Sequence, residues 1–375
     1  EGNILVMKTG GLGDFLFGFP AINILKKECP TASITLLTQI AFSGQHLKNL
    51  SANNLESLPW LKLTETYFDE TFVIKGLSIK EILKLRKVLK EKKISSIIYM
   101  TTPGEPFLSI MKKLLFFKAI SSSRLSIFGW KQNFSTAFFR KYHDVWGLSQ
   151  HKINGPLKAV KHFLGYQPKI SSRDFKLIEL PSFKDNLKLV AFKNDFESYD
   201  GYIVICPGSS ASWKNWGKFK YKELCRKLIP VLQEMNIALI MAGPQSDRPL
   251  ADLISQGLHT YNICGDFSIP EFSTIFRNSH CVVTTDGGLA HLAAFSDARL
   301  VSLSNGGEED GVVSPIGNRV TELRNAISCA PCFGMDHCPL EHSRCVKDIK
   351  VEDVFKVVQS IIQKSNYNIM EYKNL

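Results

Sequence analysis

Short apolar runs of strand length alternate with segments of helical period along this chain, and the alternation starts twice. In the first half, Ile4-Leu5-Val6-Met7 runs directly into a glycine cluster. Within Asp14 to Cys29, Phe15, Phe19, Ile22 and Leu25 then recur at three- and four-residue spacing, which marks one helical face. Ser33 to Thr38 reads as the next strand, Leu77 to Leu89 as a helix and Ile94 to Met100 as a strand. In the second half, Tyr202 to Cys206, Ile237 to Ala242 and Cys281 to Thr284 read as strands. Helical patterns separate them over Lys218 to Met235, near Asp247 to Gln256 and from Gly288. Such an order implies parallel strands, because parallel neighbours need a long connection and a crossover helix supplies it. The expectation is an α/β chain with two open parallel sheets whose strand ends line a mutual cleft.

A chain of 375 residues suits two domains at about 150 residues each. The stretch from Pro168 to Gly201 is charged and poor in long regular patterns, so the boundary is placed there, with domains over 1–185 and 186–350. Within the remaining segment, 351–375, Val351 to Gln363 is amphipathic and is expected to pack back on the first domain. Hydrophobic residues at 44% and charged residues at 22% exclude disordered and fibrous classes. No run of about 18 apolar residues occurs, so no membrane-spanning helix is expected. The opening residues show no basic leader before an apolar run. With no such signal, nine cysteines point to a reducing cytoplasm, where clustered thiols tend to be metal ligands.

Lys and Arg number 46 against 35 Asp and Glu, a formal net charge of +11 that favours an anionic partner. Lys-rich tracts such as Lys90-Glu91-Lys92-Lys93 read as solvated helix ends. They carry no zinc-finger, helix-turn-helix or ribonucleoprotein signature, so nucleic acid is not the expected partner.

Five motifs could carry chemistry. Lys8-Thr9-Gly10-Gly11-Leu12-Gly13-Asp14 follows a strand and opens a helix, so its backbone can approach a ligand closely. It is no dinucleotide fingerprint, since Leu16 stands where the third glycine belongs, and no Walker loop, since Gly-Lys-Ser/Thr is absent. Asp14 reads either as the helix N-cap or as a general base for an acceptor hydroxyl. Pro207-Gly208-Ser209-Ser210, followed by Trp213-Lys214-Asn215-Trp216, offers hydroxyls and a cation to phosphate oxygens, or is an ordinary polar loop. Gly243-Pro244-Gln245-Ser246-Asp247 ends in an acid that could cap a helix or hold ribose hydroxyls. Asp286-Gly287-Gly288-Leu289-Ala290-His291 turns from strand to helix, with amides and an imidazole suited to a diphosphate. Cys329, Cys332, Cys338 and Cys345 are either a tetrahedral set for Zn²⁺ or iron, or reduced thiols on a surface loop.

In this order the motifs resemble glycosyltransferase family 9, the ADP-heptose:lipopolysaccharide heptosyltransferases and their relatives. The resemblance covers nearly the whole chain, with weak matching over 100–200. It implies a GT-B architecture, two Rossmann-like domains facing across a cleft, with an N-terminal acceptor-binding domain and a C-terminal nucleotide-sugar-binding domain. It also implies inverting, metal-independent transfer of a heptose from ADP-heptose to a hydroxyl of a lipopolysaccharide core, with no cofactor required for catalysis. By this resemblance Asp14 is the general base, and Ser209, Ser210 and Lys214 hold the donor diphosphate. Asp247 contacts the nucleoside, Asp286, Gly287, Gly288 and His291 hold donor sugar and diphosphate, and Gly13, Gly243 and Gln245 are further donor-binding residues. The family pattern has Thr where this chain has Gly287, which removes one hydroxyl donor. No D-x-D motif stands at a strand end, in keeping with a cation-independent route. The cysteine segment supports membership and could hold structural Zn or Fe. An anionic glycolipid acceptor would draw basic residues such as Lys112, Lys113, Arg124 and Lys131 to the inner membrane as a peripheral contact. Rival readings are a protein (autotransporter) heptosyltransferase, another nucleotide-sugar transferase of this fold, and a non-catalytic nucleotide-sugar binding module.

Overall fold

A computed structural model describes residues 2–8, 10–39, 60–74, 79–100, 107–120, 126–129, 151–177, 180–332 and 337–373. The chain divides into two units, residues 1–176 and 177–375.

In the first unit, β1 (Asn3–Met7), β2 (Ile34–Gln39), β3 (Glu70–Ile74), β4 (Ile94–Tyr99) and β5 (Ser126–Phe128) form a parallel sheet in the order β3-β2-β1-β4-β5. Ile4, Leu5, Val6 and Met7 are all buried, as a strand covered on both faces requires. The helical pattern read from Asp14 onward is in fact two helices, α1 (Leu12–Leu16) and α2 (Phe19–Glu28), parted at Phe17-Gly18. Pro20 explains the break. In a continuous helix it would leave the Leu16 carbonyl without its donor and crowd it. The apolar period survives the break because Phe15 and Phe19 still meet edge to face, 5.5 Å apart. Further helices are α3 (Leu61–Tyr67), α4 (Ile79–Glu91), α5 (Phe107–Ile120) and α6 (Asn154–Leu164).

The stretch expected to be an irregular linker is largely ordered. Ser172–Phe175 forms a 3-10 turn closed by a capping box between Ser171 and Asp174. Asn23 of α2 donates to the carbonyls of Asp174 (3.0 Å) and Lys176 (3.1 Å), which ties this turn to the first unit. The division therefore falls after Lys176, earlier than 185. Beyond it, α7 (Leu187–Asp195) starts at Asn186, whose Oδ1 accepts the Leu189 N–H at 3.1 Å.

The second unit contains β6 (Gly201–Cys206), β7 (Ile237–Met241), β8 (Tyr261–Asn262), β9 (Cys281–Thr285), β10 (Leu300–Ser304) and β11 (Val320–Arg324). They pair in parallel in the order β11-β10-β9-β6-β7-β8. Counted within the unit this is the doubly wound dinucleotide-fold order, and its direction reverses between β6 and β9. The first sheet reverses likewise between β1 and β4. Helices α8 (Lys218–Glu234), α9 (Arg248–Ser255), α10 (Ile269–Arg277), α11 (Gly288–Phe295), α12 (Arg344–Lys347) and α13 (Val351–Lys373) complete the unit. On α13 the stripe of Val351, Val354, Val358 and Ile362 is buried in the second unit's own core, with Leu224, Leu228 and Leu232 of α8. Each such side chain gains about 1.5–3 kcal/mol by burial, which docks a helix that would be marginal alone.

Candidate functional site

Four candidate segments follow the carboxyl ends of strands: 8–14 after β1, 207–216 after β6, 242–247 after β7 and 286–291 after β9. The second and fourth flank the reversal between β6 and β9, where a doubly wound sheet leaves a crevice for ligands.

At this reversal the structure brings together Lys214, Asp286 and His291. Lys214 Nζ donates to Asp286 Oδ2 at 3.3 Å, and His291 Nε2 lies 3.9 Å from Oδ1. The Asp286 side chain is only 7% exposed. Burial opposes its ionisation, but Lys214 and His291, joined by the amide of Asn305, hold its carboxyl below the usual aspartate range. Lys214 keeps 28% of its side chain exposed, and an ammonium has three donors, so the pair can still offer N–H to an incoming anion. Glycines at the start of α11 add backbone amides. Gly287 is extended (φ 172°), and a Cβ there would meet nothing nearer than the Thr285 carbonyl oxygen at 4.0 Å. The backbone therefore does not demand glycine at this position.

Asn305, just past β10, was not among the residues singled out from sequence. Its Nδ2 donates to Asp286 Oδ2 at 2.7 Å, and its Oδ1 accepts the Gly307 N–H at 2.8 Å. Ser304-Asn305-Gly306-Gly307 directly after a strand is the signal that could have found it.

Asp247 stands at the N-cap place of α9, yet its side chain makes no cap hydrogen bond. Its carboxylate instead lies against the backbones of Gly208 and Gly243, where a Cβ would collide with it. Burial pushes its carboxyl up, against a weak 3.4 Å hydrogen bond from Ser246 Oγ. Gln245 packs in the same way on Gly265. In the first loop Ser209 Oγ accepts the Ala211 N–H at 3.4 Å, and Ser210 is exposed. These residues line neighbouring strand ends, but among the described residues no hydrogen bond or ion pair joins them to the Lys214–Asp286 pair.

In the first unit Gly11 is the N-cap of α1, so Asp14 is not the cap but the third helical residue, preceded by Gly13. Asp14 is half-buried and has no ion pair among the described residues. Gly10 has φ +126°, and a Cβ there would fall 2.5 Å from Asp14 Cβ, so both backbone angle and contact require glycine. Lys8 is buried at the end of β1, and Thr9 lies outside the described residues. Among the basic residues singled out, Lys112 is exposed and Lys113 Nζ stands 5.2 Å from the Tyr99 ring centroid, while Arg124 and Lys131 lie outside the described residues.

Cys329, Cys332, Cys338 and Cys345 line one cavity of about 10 Å³. Among the described residues, no three metal-ligating side chains are grouped closely enough to hold an ion in the arrangement seen. The donor chemistry nevertheless suits a cation. Burial raises the Cys338 thiol, but backbone N–H groups of Ser343, Leu340 and His342 outweigh it and hold the thiol below its ordinary value. Burial and then the neighbouring thiols push Cys332 up. The other five cysteines are buried.

Two Rossmann-like parallel sheets, each reversing direction at a central strand pair, define an α/β protein of GT-B type. The model of glycosyltransferase family 9 (heptosyltransferase) matches residues 110–342, and the chain belongs to that family. It is 24% identical over 198 residues to lipooligosaccharide heptosyltransferase 2 of Campylobacter jejuni, a match covering 51% of this chain and 59% of the relative's length. In fold it is similar to E. coli ADP-heptose lps heptosyltransferase II, with a TM-score of 0.62 and 16% identity over 97% of this chain and 99% of the other. It is also similar to E. coli heptosyltransferase WaaC with ADP, with a TM-score of 0.63 and 15% identity over 96% and 99% of the two chains. No helix among the described residues is long and apolar enough to cross a membrane.

Proposed function

We propose that this chain transfers a heptose from ADP-heptose to a hydroxyl of a lipopolysaccharide-core acceptor, with inversion and without a catalytic metal. The observation that carries this reading is the Lys214–Asp286–His291 set, braced by Asn305, at the reversal of the second sheet. Departure of ADP develops negative charge on the β-phosphate. Lys214, His291, the amides of Gly287 and Gly288, and the hydroxyls of Ser209 and Ser210 would stabilise that charge, and one well-placed donor contributes about 3–4 kcal/mol of barrier. Gly243, Gln245 and Asp247 would contact the nucleoside. Asp14, beside Gly13, would take the proton of the acceptor hydroxyl as its oxygen attacks the anomeric carbon opposite the leaving ADP. Transfer then needs Asp14 to reach a donor held by the other unit. A family fold shared with an ADP-bound heptosyltransferase supports the choice of nucleotide.

Cys329, Cys332, Cys338 and Cys345 would hold Zn²⁺ or iron in a structural role. Four thiols around one small cavity, with amides favouring the thiolate of Cys338, support this. Elemental analysis should find close to one metal per chain, and metal-free folded protein would refute it. The enzyme would work in the cytoplasm as a peripheral partner of the inner membrane. Ile79, Leu83 and Leu115 are 77%, 59% and 64% exposed on α4 and α5, beside exposed Lys80, Lys84 and Lys112, a composition suited to anionic lipid.

A thermal-shift screen of ADP-heptose against ADP-, GDP- and UDP-hexoses tests the donor. ADP-heptose should raise the melting temperature most, by mass action. Equal or absent shifts for all four would overturn the assignment.

A further inference from the structure

The cysteine-walled cavity and the Lys214–Asp286 pair share one side chain, Trp213. Its indole lines the cavity with the four cysteines. The same ring carries the Lys214 ammonium 5.3 Å from its centroid. The lysine is thus held between an aromatic face and a buried carboxylate, an arrangement that fixes where its charge points. The Trp213 Nε1–H is buried and has no hydrogen-bond partner among the described residues. Such a donor normally finds an acceptor, and the cavity beside it is walled with sulfur.

A second route joins the same two places. The Cys332 N–H donates to the Gly306 carbonyl at 3.0 Å. At Gly306 a Cβ would lie 2.7 Å from Ala330 Cβ, and at Gly307 one would lie 2.8 Å from Trp213 Cη2. Both glycines are therefore needed for close packing of the cysteine segment and the indole. Gly307 is bound by Asn305, which in turn holds Asp286. Movement of the cysteine segment would thus reach Lys214 through the indole and Asp286 through Asn305.

We propose that Trp213 is a positioning residue that couples the thiol cluster to Lys214, so that the state of the four cysteines sets how firmly this lysine holds a diphosphate. The proposal rests on the donor-site reading for its consequence, while the coupling itself is a property of this chain's own contacts. Coupling is reciprocal: if the cluster biases Lys214, a change at Lys214 must be felt at the cluster. The removal of an aromatic face under a cation predicts about a fivefold loss of ADP affinity in Trp213→Leu, and recovery in Trp213→Phe.

The test needs no nucleotide. The rate at which Ellman's reagent modifies Cys329, Cys332 and Cys338 is measured on the protein as purified, the remaining cysteines, Cys345 included, being buried. Four proteins are compared: wild type, Lys214→Met, Trp213→Leu and the double variant. Lys214→Met, which removes the ammonium from both the indole and Asp286, should change the rate several-fold when Trp213 is present and clearly less in the Trp213→Leu background, where only the route through Asn305 remains. Equal effects in both backgrounds, or none in either, would overturn the coupling. ADP titrations on the same proteins judge the donor reading separately. If ADP fails to bind wild type while the thiol rates show the non-additive pattern, the donor assignment falls and the coupling stands.

Discussion

Two carboxylates follow central strands of the two sheets, and the chain treats them in opposite ways. Asp286, after β9, is buried and held by Lys214, His291 and Asn305. Asp14, after β1, is half-buried in the first turn of α1 and forms no ion pair among the described residues. A carboxylate locked into an ion pair fixes a lysine but is a poor proton acceptor. One left without a cation can take a proton if a hydroxyl is brought to it. The contrast is what the proposed division of labour requires, with a fixed cation in the second unit and a proton acceptor in the first. The glycines agree. Gly10 is required by its backbone angle and by contact with Asp14, whereas Gly287 has open space around it.

The largest effect that could break this contrast is Asp14→Asn. It should lower turnover by about 10²–10⁴-fold while ADP affinity stays at the wild-type value, a split that parallel rate and titration measurements would reveal. Gly10→Ala should act on the same group indirectly. A Cβ pressed against Asp14 displaces it, and turnover should fall on the order of 10²-fold with donor binding again intact.

Asp286→Asn should behave differently and register in stability. Losing a charge-assisted pair costs about 2 kcal/mol, readable by urea denaturation at neutral pH. Its folded-state pKa is depressed below 3.8, so its contribution is present above that value and disappears as pH falls through the lower folded value. The gap between wild type and variant should accordingly close in acid below about 3.8; a gap that widened there would contradict the ion-pair assignment. Smallest of all, Gly287→Thr should change stability by less than about 0.5 kcal/mol, because its extended backbone and open surroundings admit a side chain. Strong destabilisation would mean that this turn is as constrained as the one at Gly10.

Much of this arrangement was legible in the residues. Runs such as Ile4 to Met7 and Cys281 to Thr284, buried on both faces, leave no alternating pattern and end in glycine turns, so both strand and strand end could be read. The break at Gly18 was masked in the apolar pattern, because Phe15 and Phe19 keep helical spacing across it while Pro20 removes a donor and crowds the preceding turn. Nor did the apolar stripe of Val354, Val358 and Ile362 say which core it fills, since any apolar surface of matching shape satisfies it. Asn305 stayed hidden because its role depends on β10 lying next to β9, and a lone amide 19 residues from Asp286 carries no pattern. The reading of Asp14 and Asp247 as helix caps gave way to observed geometry, in which Gly11 caps α1 and Asp247 turns toward Gly208.

Lys214 is the cation proposed to receive the donor's diphosphate. Isothermal titration of ADP into wild type and Lys214→Met addresses it directly. One molecule of ADP should bind per wild-type chain, and the variant should bind at least about tenfold more weakly, as expected for a lost hydrogen bond to a charged group. Equal affinity in the two proteins would contradict it.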